Sequence, residues 1–105
     1  MKVELTNEKL IVGKYNCRSA TITKENNGYI ASFLLLETYK AKRKSDWYGT
    51  SIITIPKRKT LKFKKLEYSG LELKDVGIST VAHLGYKKYL SAENNKGEYI
   101  NYYET

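Results

Sequence analysis

The chain has 105 residues, 41% hydrophobic and 29% charged, which is enough for a single folded domain over residues 1–105 with a modest core. Nineteen Lys and Arg residues against 11 Asp and Glu give a net charge of +8, which favours nucleic acid or an acidic protein surface as partner, although a merely lysine-rich soluble protein is the alternative. One cysteine excludes an intramolecular disulfide, and neither a membrane-spanning apolar run nor a signal peptide is evident, so we expect a cytoplasmic protein with no membrane partner.

The first predicted elements are short strands separated by turn signals. An apolar run that ends at Gly13 predicts an opening strand over residues 9–15, and residues 19–24 alternate in polarity. The segment 25–28 ends in Asn-Gly, the strongest short-range signal for a hairpin. Residues 29–39 are then the partner strand, which we expect to be central because both of its faces are apolar in the middle. A helix over residues 30–44 is the alternative, which the preceding hairpin signal disfavours.

The middle of the chain is rich in positive charge. Residues 40–46 are polar and charged, so they are predicted to form a loop. A strand over residues 47–55 follows and ends at Pro56, which cannot donate a hydrogen bond to a sheet. Residues 57–59 are predicted to form the next turn.

The last predicted elements are again strands. Beyond residue 60 the side chains alternate, with Leu61 and Phe63 on one face and Lys62 and Lys64 on the other. The remaining predictions are a strand over residues 86–92, a hairpin turn over 94–97 and an edge strand over 99–103.

These elements predict an all-β fold of about seven short antiparallel strands, arranged as a small single-domain barrel or sandwich. The preferred version is an OB-like five-stranded barrel, of the oligonucleotide-binding type, with an extra hairpin. An exposed edge such as residues 99–103 could pair between two chains, so a homodimer is among the expected states.

No pattern of residues indicates catalysis. His83 and Cys17 are the only residues of their types, and a packed thiol with a hydrogen-bonded histidine is a simpler interpretation than a nucleophile and its base. The chain has no metal-ligand spacing and no glycine-rich phosphate-binding loop. We therefore expect a protein that is not an enzyme and has no catalytic residue, no cofactor and no metal.

Residues 40–58 combine the side chains that single-stranded nucleic acid requires. A basic segment leads into Trp47 and Tyr48, and a second basic cluster follows the next strand. Cations neutralise phosphates, and flat rings stack on unpaired bases. At ~3.3 Å per residue the two clusters would lie roughly 25 Å apart, so an extended polymer fits them better than a mononucleotide does.

The candidate nucleic-acid-binding residues are the cations and rings of this region. They are Tyr39, Lys40, Lys42, Arg43, Lys44, Trp47, Tyr48, Lys57, Arg58, Lys59, Lys62 and Lys64. Two alternatives stay open: Trp47 as a core anchor at the start of a strand, and residues 42–44 as a solvated loop tip.

An ordered series of short motifs runs from Glu37 to Ala92. The series consists of Thr38-Tyr39 before a basic segment, Ile53-Thr54-Ile55-Pro56, Leu61 with Phe63, Val76, Val81-Ala82 and Tyr89-Leu90-Ser91-Ala92. This order resembles the small single-stranded-DNA-binding helicase processivity factors of Gram-positive conjugative elements. The resemblance implies a β-rich fold, DNA binding and a helicase partner, and it adds no catalytic residue.

Two functions from different classes are compatible with these observations. The first is a non-enzymatic single-stranded nucleic-acid-binding protein of a mobile element or phage, with DNA favoured and a helicase or another replication protein as a further partner. The second is a phage-type inhibitor or adaptor that docks on an acidic or nucleic-acid-binding surface of a host protein. The sequence leaves DNA versus RNA, sequence preference and oligomeric state open.

Overall fold

The computed structural model describes residues 1–45, 47, 49–77 and 81–105, with Ser45 described by its backbone only. The described chain forms nine strands and one short 3₁₀ helix, so the prediction of a small all-β fold is confirmed, with nine strands rather than about seven. The strands are β1 (Lys2–Leu5), β2 (Leu10–Val12), β3 (Tyr15–Glu25), β4 (Gly28–Ser45), β5 (Gly49–Phe63), β6 (Glu67–Gly70), β7 (Lys74–Asp75), β8 (Lys88–Glu93) and β9 (Tyr99–Glu104), and the 3₁₀ helix is Ala82–Leu84. No helix in the described ranges has the length and apolar character needed to cross a membrane.

The strands form an open sheet that curls into a half-barrel around β3. Residues 19–24 of β3 pair with β4 on one edge and with β9 on the other, and the first two residues of β3 pair with β2. Beyond these neighbours the order continues from β4 to β5, from β9 through β8 to β7, and from β2 through β1 to β6. This topology does not establish the predicted OB-like barrel.

Two strand pairs depart from the expected antiparallel arrangement. The pairs β1–β6 and β3–β9 are parallel, so antiparallel pairing throughout is wrong. Strands that are parallel must be joined by a long crossover, and both pairs join segments far apart in the sequence, where no hairpin constrains their direction. In addition, β9 lies between β3 and β8, so residues 99–103 are not an edge that is free to pair with a second chain.

The core lies on the concave side of the curled sheet, where alternate strand positions bury their side chains. Its fully buried members are Val3, Leu5, Leu10, Val12, Cys17, Ala20, Ile22, Ala31, Phe33, Leu35 and Ile100. Leu61 and Phe63 pack against this cluster, as the alternation of residues 61–64 predicts. Burial also raises the pKa of the Cys17 thiol to about 11, which fits the expected packed thiol. His83, in contrast, is exposed in the 3₁₀ helix.

The hairpin of β4 and β5 is much longer than the rest of the sheet. Residues 29–34 pair with residues 58–63 inside the sheet, and β3 contacts β4 only as far as Leu35. Beyond this point residues 38–45 pair only with residues 49–56 and project as a two-stranded arm. The radius of gyration is accordingly 16.2 Å, compared with about 13 Å for a compact domain of this length.

The arm corrects the interpretation of the basic segments. Of the predicted loop 40–46, residues 40–45 continue strand β4, and Asp46 lies outside the described residues. Pro56 and residues 57–59 lie inside β5 and are not a turn. Proline is tolerated there because β5 is an edge strand that pairs only with β4. The high charge is compatible with strand structure because both faces of the arm are open to solvent. The helix alternative for residues 30–44 is wrong, because all of these residues belong to strand β4.

A β-bulge lies where the arm leaves the sheet. Between Leu34 and Thr38 the register shifts, so three residues of β4 face a single residue of β5. Arg18 fills the gap: its Nε donates to the carbonyl oxygen of Leu35 and its Nη2 to that of Leu36, each at 3.1 Å. These hydrogen bonds satisfy carbonyl groups that the bulge removes from the ladder, and they fix the base of the arm to β3.

Candidate nucleic-acid interface

The two faces of the arm have different chemistry, because paired residues of neighbouring strands share a face and successive residues alternate. One face, the lysine face, carries Lys40, Lys42 and Lys44, which pair with Thr54, Ile52 and Thr50. The opposite face, the apolar face, carries Tyr39, Ala41 and Arg43, which pair with Ile55, Ile53 and Ser51. Alternate residues of a strand are about 7 Å apart, so the three lysines occupy evenly spaced positions along one face of the arm.

Trp47 lies in the turn at the tip of the arm. Its side chain is 89% exposed, so the alternative that it anchors the core is wrong. The tip lies far from the buried cluster because eight residue pairs of the arm separate it from the bulge. The neighbouring candidate Tyr48 lies outside the described residues. An exposed indole at the end of a basic hairpin is free to contact a partner.

Positive charge is concentrated in this hairpin. Residues 28–63 hold eight Lys and Arg residues and two acidic ones, which accounts for six of the eight net positive charges of the chain. Within the described residues, Lys57 is the only one of these cations with an acidic partner, Glu37 beside the bulge. No acidic side chain in the described part of the chain pairs with the other seven.

A cleft of about 860 Å³ opens at the base of the arm. Its lining brings together two rings, three cations and apolar side chains: Tyr15, Leu34, Leu35, Glu37, Tyr39, Ile55, Pro56, Lys57, Arg58 and Lys59. The Lys59 ammonium nitrogen lies 4.7 Å from the centre of the Tyr15 ring, and a hydrogen bond from Lys59 is the main cause that lowers the pKa of the Tyr15 hydroxyl. Rings and cations therefore meet here as well as at the tip.

Tyr15 is a functional candidate that the sequence interpretation missed. A signal was present, since Tyr15 directly follows Lys14, whose ammonium also lies over the ring at 5.5 Å. The proximity of Tyr15 to Lys59 depends on the pairing of β3, β4 and β5, which no local pattern reveals.

The structure thus divides the candidate residues between two surfaces. Alternation along β5, which is continuous through the bulge, places Arg58 and Lys62 on the same side as the lysine face. Tyr39, Arg43, Lys57 and Lys59 lie on the other side, and Lys64 is exposed just beyond β5. From the level of Arg43 to Arg58 the hairpin spans seven residues, or about 23 Å, so the two basic clusters are separated nearly as expected.

The arrangement provides cations at regular intervals and exposed rings at the tip and at the base of one arm. In the described ranges, no three His, Cys, Asp or Glu side chains converge as metal ligands. Such a surface can neutralise a chain of phosphates and stack on unpaired bases. Comparisons of the chain with protein-family models, curated proteins and solved structures give no match, so the resemblance to helicase processivity factors stays a prediction.

Proposed function

We propose that this protein is a non-enzymatic binder of single-stranded nucleic acid, with DNA favoured, and that the β4–β5 hairpin is its main contact. The observation that carries the proposal is the arm itself, which projects from the sheet and ends in an exposed tryptophan. The arm also concentrates cations that pair with no acidic side chain among the described residues. The arm contributes little to the core, because no hydrophobic residue between 36 and 60 belongs to the described buried cluster or is among the hydrophobic residues packed against it.

The spacing of the cations favours a flexible polymer over a small ligand. From Lys44, which pairs with Thr50, to Arg58 the cations extend over eight residues of β5, or about 26 Å, too far for one nucleotide to reach both ends. The cleft at the base adds rings beside cations, the combination that holds a base and its phosphate together. The resemblance of residues 37–92 to helicase processivity factors supports DNA over RNA, a helicase or another replication protein as further partner, and a mobile element or phage as source.

The test is a salt titration with a fluorescently labelled oligonucleotide, followed by fluorescence anisotropy. Each contacted phosphate contributes a slope of about −0.7 to the dependence of log affinity on log salt. Replacing Lys40, Lys42 and Lys44 together by glutamine should therefore reduce the magnitude of the slope by about two. The matched control replaces three exposed lysines outside the hairpin, Lys2, Lys65 and Lys96, and should leave the slope unchanged. If the unmodified protein and both triple variants all bind the oligonucleotide equally weakly, the proposal is wrong.

The second candidate function is an inhibitor or adaptor that docks on a protein. The apolar face of the arm favours it, because Tyr39, Ile53 and Ile55 form a continuous strip that the sheet does not cover. Ile52, on the lysine face, is also 67% exposed. Under this alternative the oligonucleotide binds weakly in every variant, and a stable complex with a protein partner is lost when Ile53 and Ile55 are replaced by threonine.

A further inference from the structure

Besides the lysine face of the arm, the sheet carries two neighbouring rows of mostly polar side chains on the side that faces away from the core. Four neighbouring strands are in register there, and one row across them reads Tyr99 on β9, Ser19 on β3, Leu34 on β4 and Arg58 on β5. The next row contains Asn101, Thr21, Ser32 and Thr60. Strands lie about 4.8 Å apart, so the backbone of Tyr99 and that of Arg58 are separated by about 14 Å.

A shallow depression of about 210 Å³ lies between these two residues. Its lining includes the hydroxyl groups of Ser19, Thr21 and Ser32, with Arg58 at one end and Tyr99 at the other. Tyr99 is 42% exposed, and its ring has no aromatic neighbour in the described part of the chain. In contrast, the Tyr103 ring, on the same strand and the same side, is already occupied by Tyr89 at 4.7 Å and Tyr86 at 4.8 Å.

We propose that this depression is a nucleotide subsite, in which Arg58 binds a phosphate and the ring of Tyr99 stacks on the base. The inference rests on the proposed function, and it extends the path of the bound nucleic acid from the arm onto the sheet. Arg58 is the link, because it lines both the cleft at the base of the arm and this depression. The hydroxyl groups between the two residues supply donors and acceptors to the sugar and the base edge.

The charges around the depression determine the orientation of the bound nucleic acid. Arg58 and Lys62 lie on the β5 side, and Glu93 of β8 pairs with Tyr99 on the opposite side. Phosphates are attracted to β5 and repelled from β8, so the backbone of the nucleic acid follows β5 and the bases point toward β9. The three lysines of the lysine face continue this backbone path along the arm.

The first experiment measures the affinity of Tyr99→Ala and Tyr99→Phe for labelled oligothymidylates of increasing length. Loss of one stacked base should weaken binding by about fivefold or more, and phenylalanine should retain affinity because stacking needs only the ring. Leu84→Ala, an exposed apolar truncation in the 3₁₀ helix, is the matched control and should bind like the unmodified chain. Circular dichroism melting of each variant verifies the fold, and photocrosslinking of an iodouracil oligonucleotide should yield a peptide containing Tyr99.

The outcomes separate this inference from the proposed function. If Tyr99→Ala binds every length as the unmodified protein does, while replacement of Lys40, Lys42 and Lys44 weakens binding, the subsite is wrong and the arm proposal stands. If the unmodified protein shows no salt-dependent oligonucleotide binding, both proposals are wrong. Glu93→Gln provides an independent check of the orientation, because Glu93 on β8 lies four strands, or about 19 Å, from β5. At that distance salt screens its charge, so affinity should be nearly unchanged if the phosphates follow β5, and a clear gain in affinity would contradict the proposed orientation.

Discussion

The substitution Trp47→Ala separates binding from folding more sharply than any other change in this chain. A tryptophan side chain exposes about 150–250 Å², of which roughly a tenth is covered here. At about 25 cal/mol per Å² the truncation removes about 0.5 kcal/mol of burial. A buried tryptophan would instead cost about 3–5 kcal/mol on the same truncation. We therefore expect the free energy of unfolding, measured with urea, to be almost unchanged.

Binding should respond to the same substitution far more strongly. A base stacked on the indole contributes about 1–3 kcal/mol, which corresponds to a loss of affinity of about fivefold to a hundredfold. Because Trp47 is the only tryptophan, its fluorescence reports on contact directly, and a saturating oligonucleotide should quench it in the unmodified protein. Trp47→Phe should retain part of the affinity. Unquenched emission at saturation, together with equal affinity of the alanine variant, would refute the assignment of Trp47 to the interface.

Two further predictions concern the fold. Gly70→Ala should lower the free energy of unfolding by at least about 3 kcal/mol, because Gly70 has φ +106° and an added Cβ would lie 2.0 Å from the carbonyl oxygen of Leu5. Gly13→Ala is the control, since Gly13 has φ +63° with open space around it. The urea midpoint of Gly70→Ala should therefore be clearly lower than that of Gly13→Ala. Stability should also fall as pH rises from about 9 to about 11, because the folded state holds the proton of Cys17 up to a pKa of about 11. Between the two pH values, the free energy of unfolding measured with urea should fall by about 2–3 kcal/mol less in the Cys17→Ala variant than in the unmodified protein. An identical fall in both proteins would contradict the linkage.

Local patterns predicted the elements whose structure depends on local chemistry. The Asn-Gly signal at residues 25–28 corresponds to the turn between β3 and β4. The segment 94–97 likewise joins β8 to β9, and the alternation of residues 61–64 gives the correct inward face. In each of these cases the turn residues and the period of two act within a few positions of each other.

The features that sequence could not provide depend on contacts between distant segments. The parallel pairing of β3 with β9 joins segments about eighty residues apart, and it converts a predicted edge strand into a central one. The charge of residues 40–46 favours a loop, because charge usually indicates solvent exposure. Lysines alternating with Tyr39, Ala41 and Arg43 are equally compatible with a strand that has solvent on both faces.

The candidate site, too, has features that local sequence predicts and features that depend on contacts between distant segments. Its residue types could be recognised from sequence, because a cation-rich segment beside aromatic residues suits nucleic acid wherever it lies. Their division between two faces, and the approach of Tyr15 and Tyr99 to the basic residues, follow from strand register alone.

Because the arm lies outside the packed interior, packing constrains the residues of the core but not those of the arm. Substitutions at the tip and along the lysine face leave the buried cluster of Phe33, Ile22 and their neighbours untouched. A lineage of such proteins could therefore exchange one arm sequence for another, and so acquire a new ligand preference, while the scaffold that presents the arm is inherited unchanged.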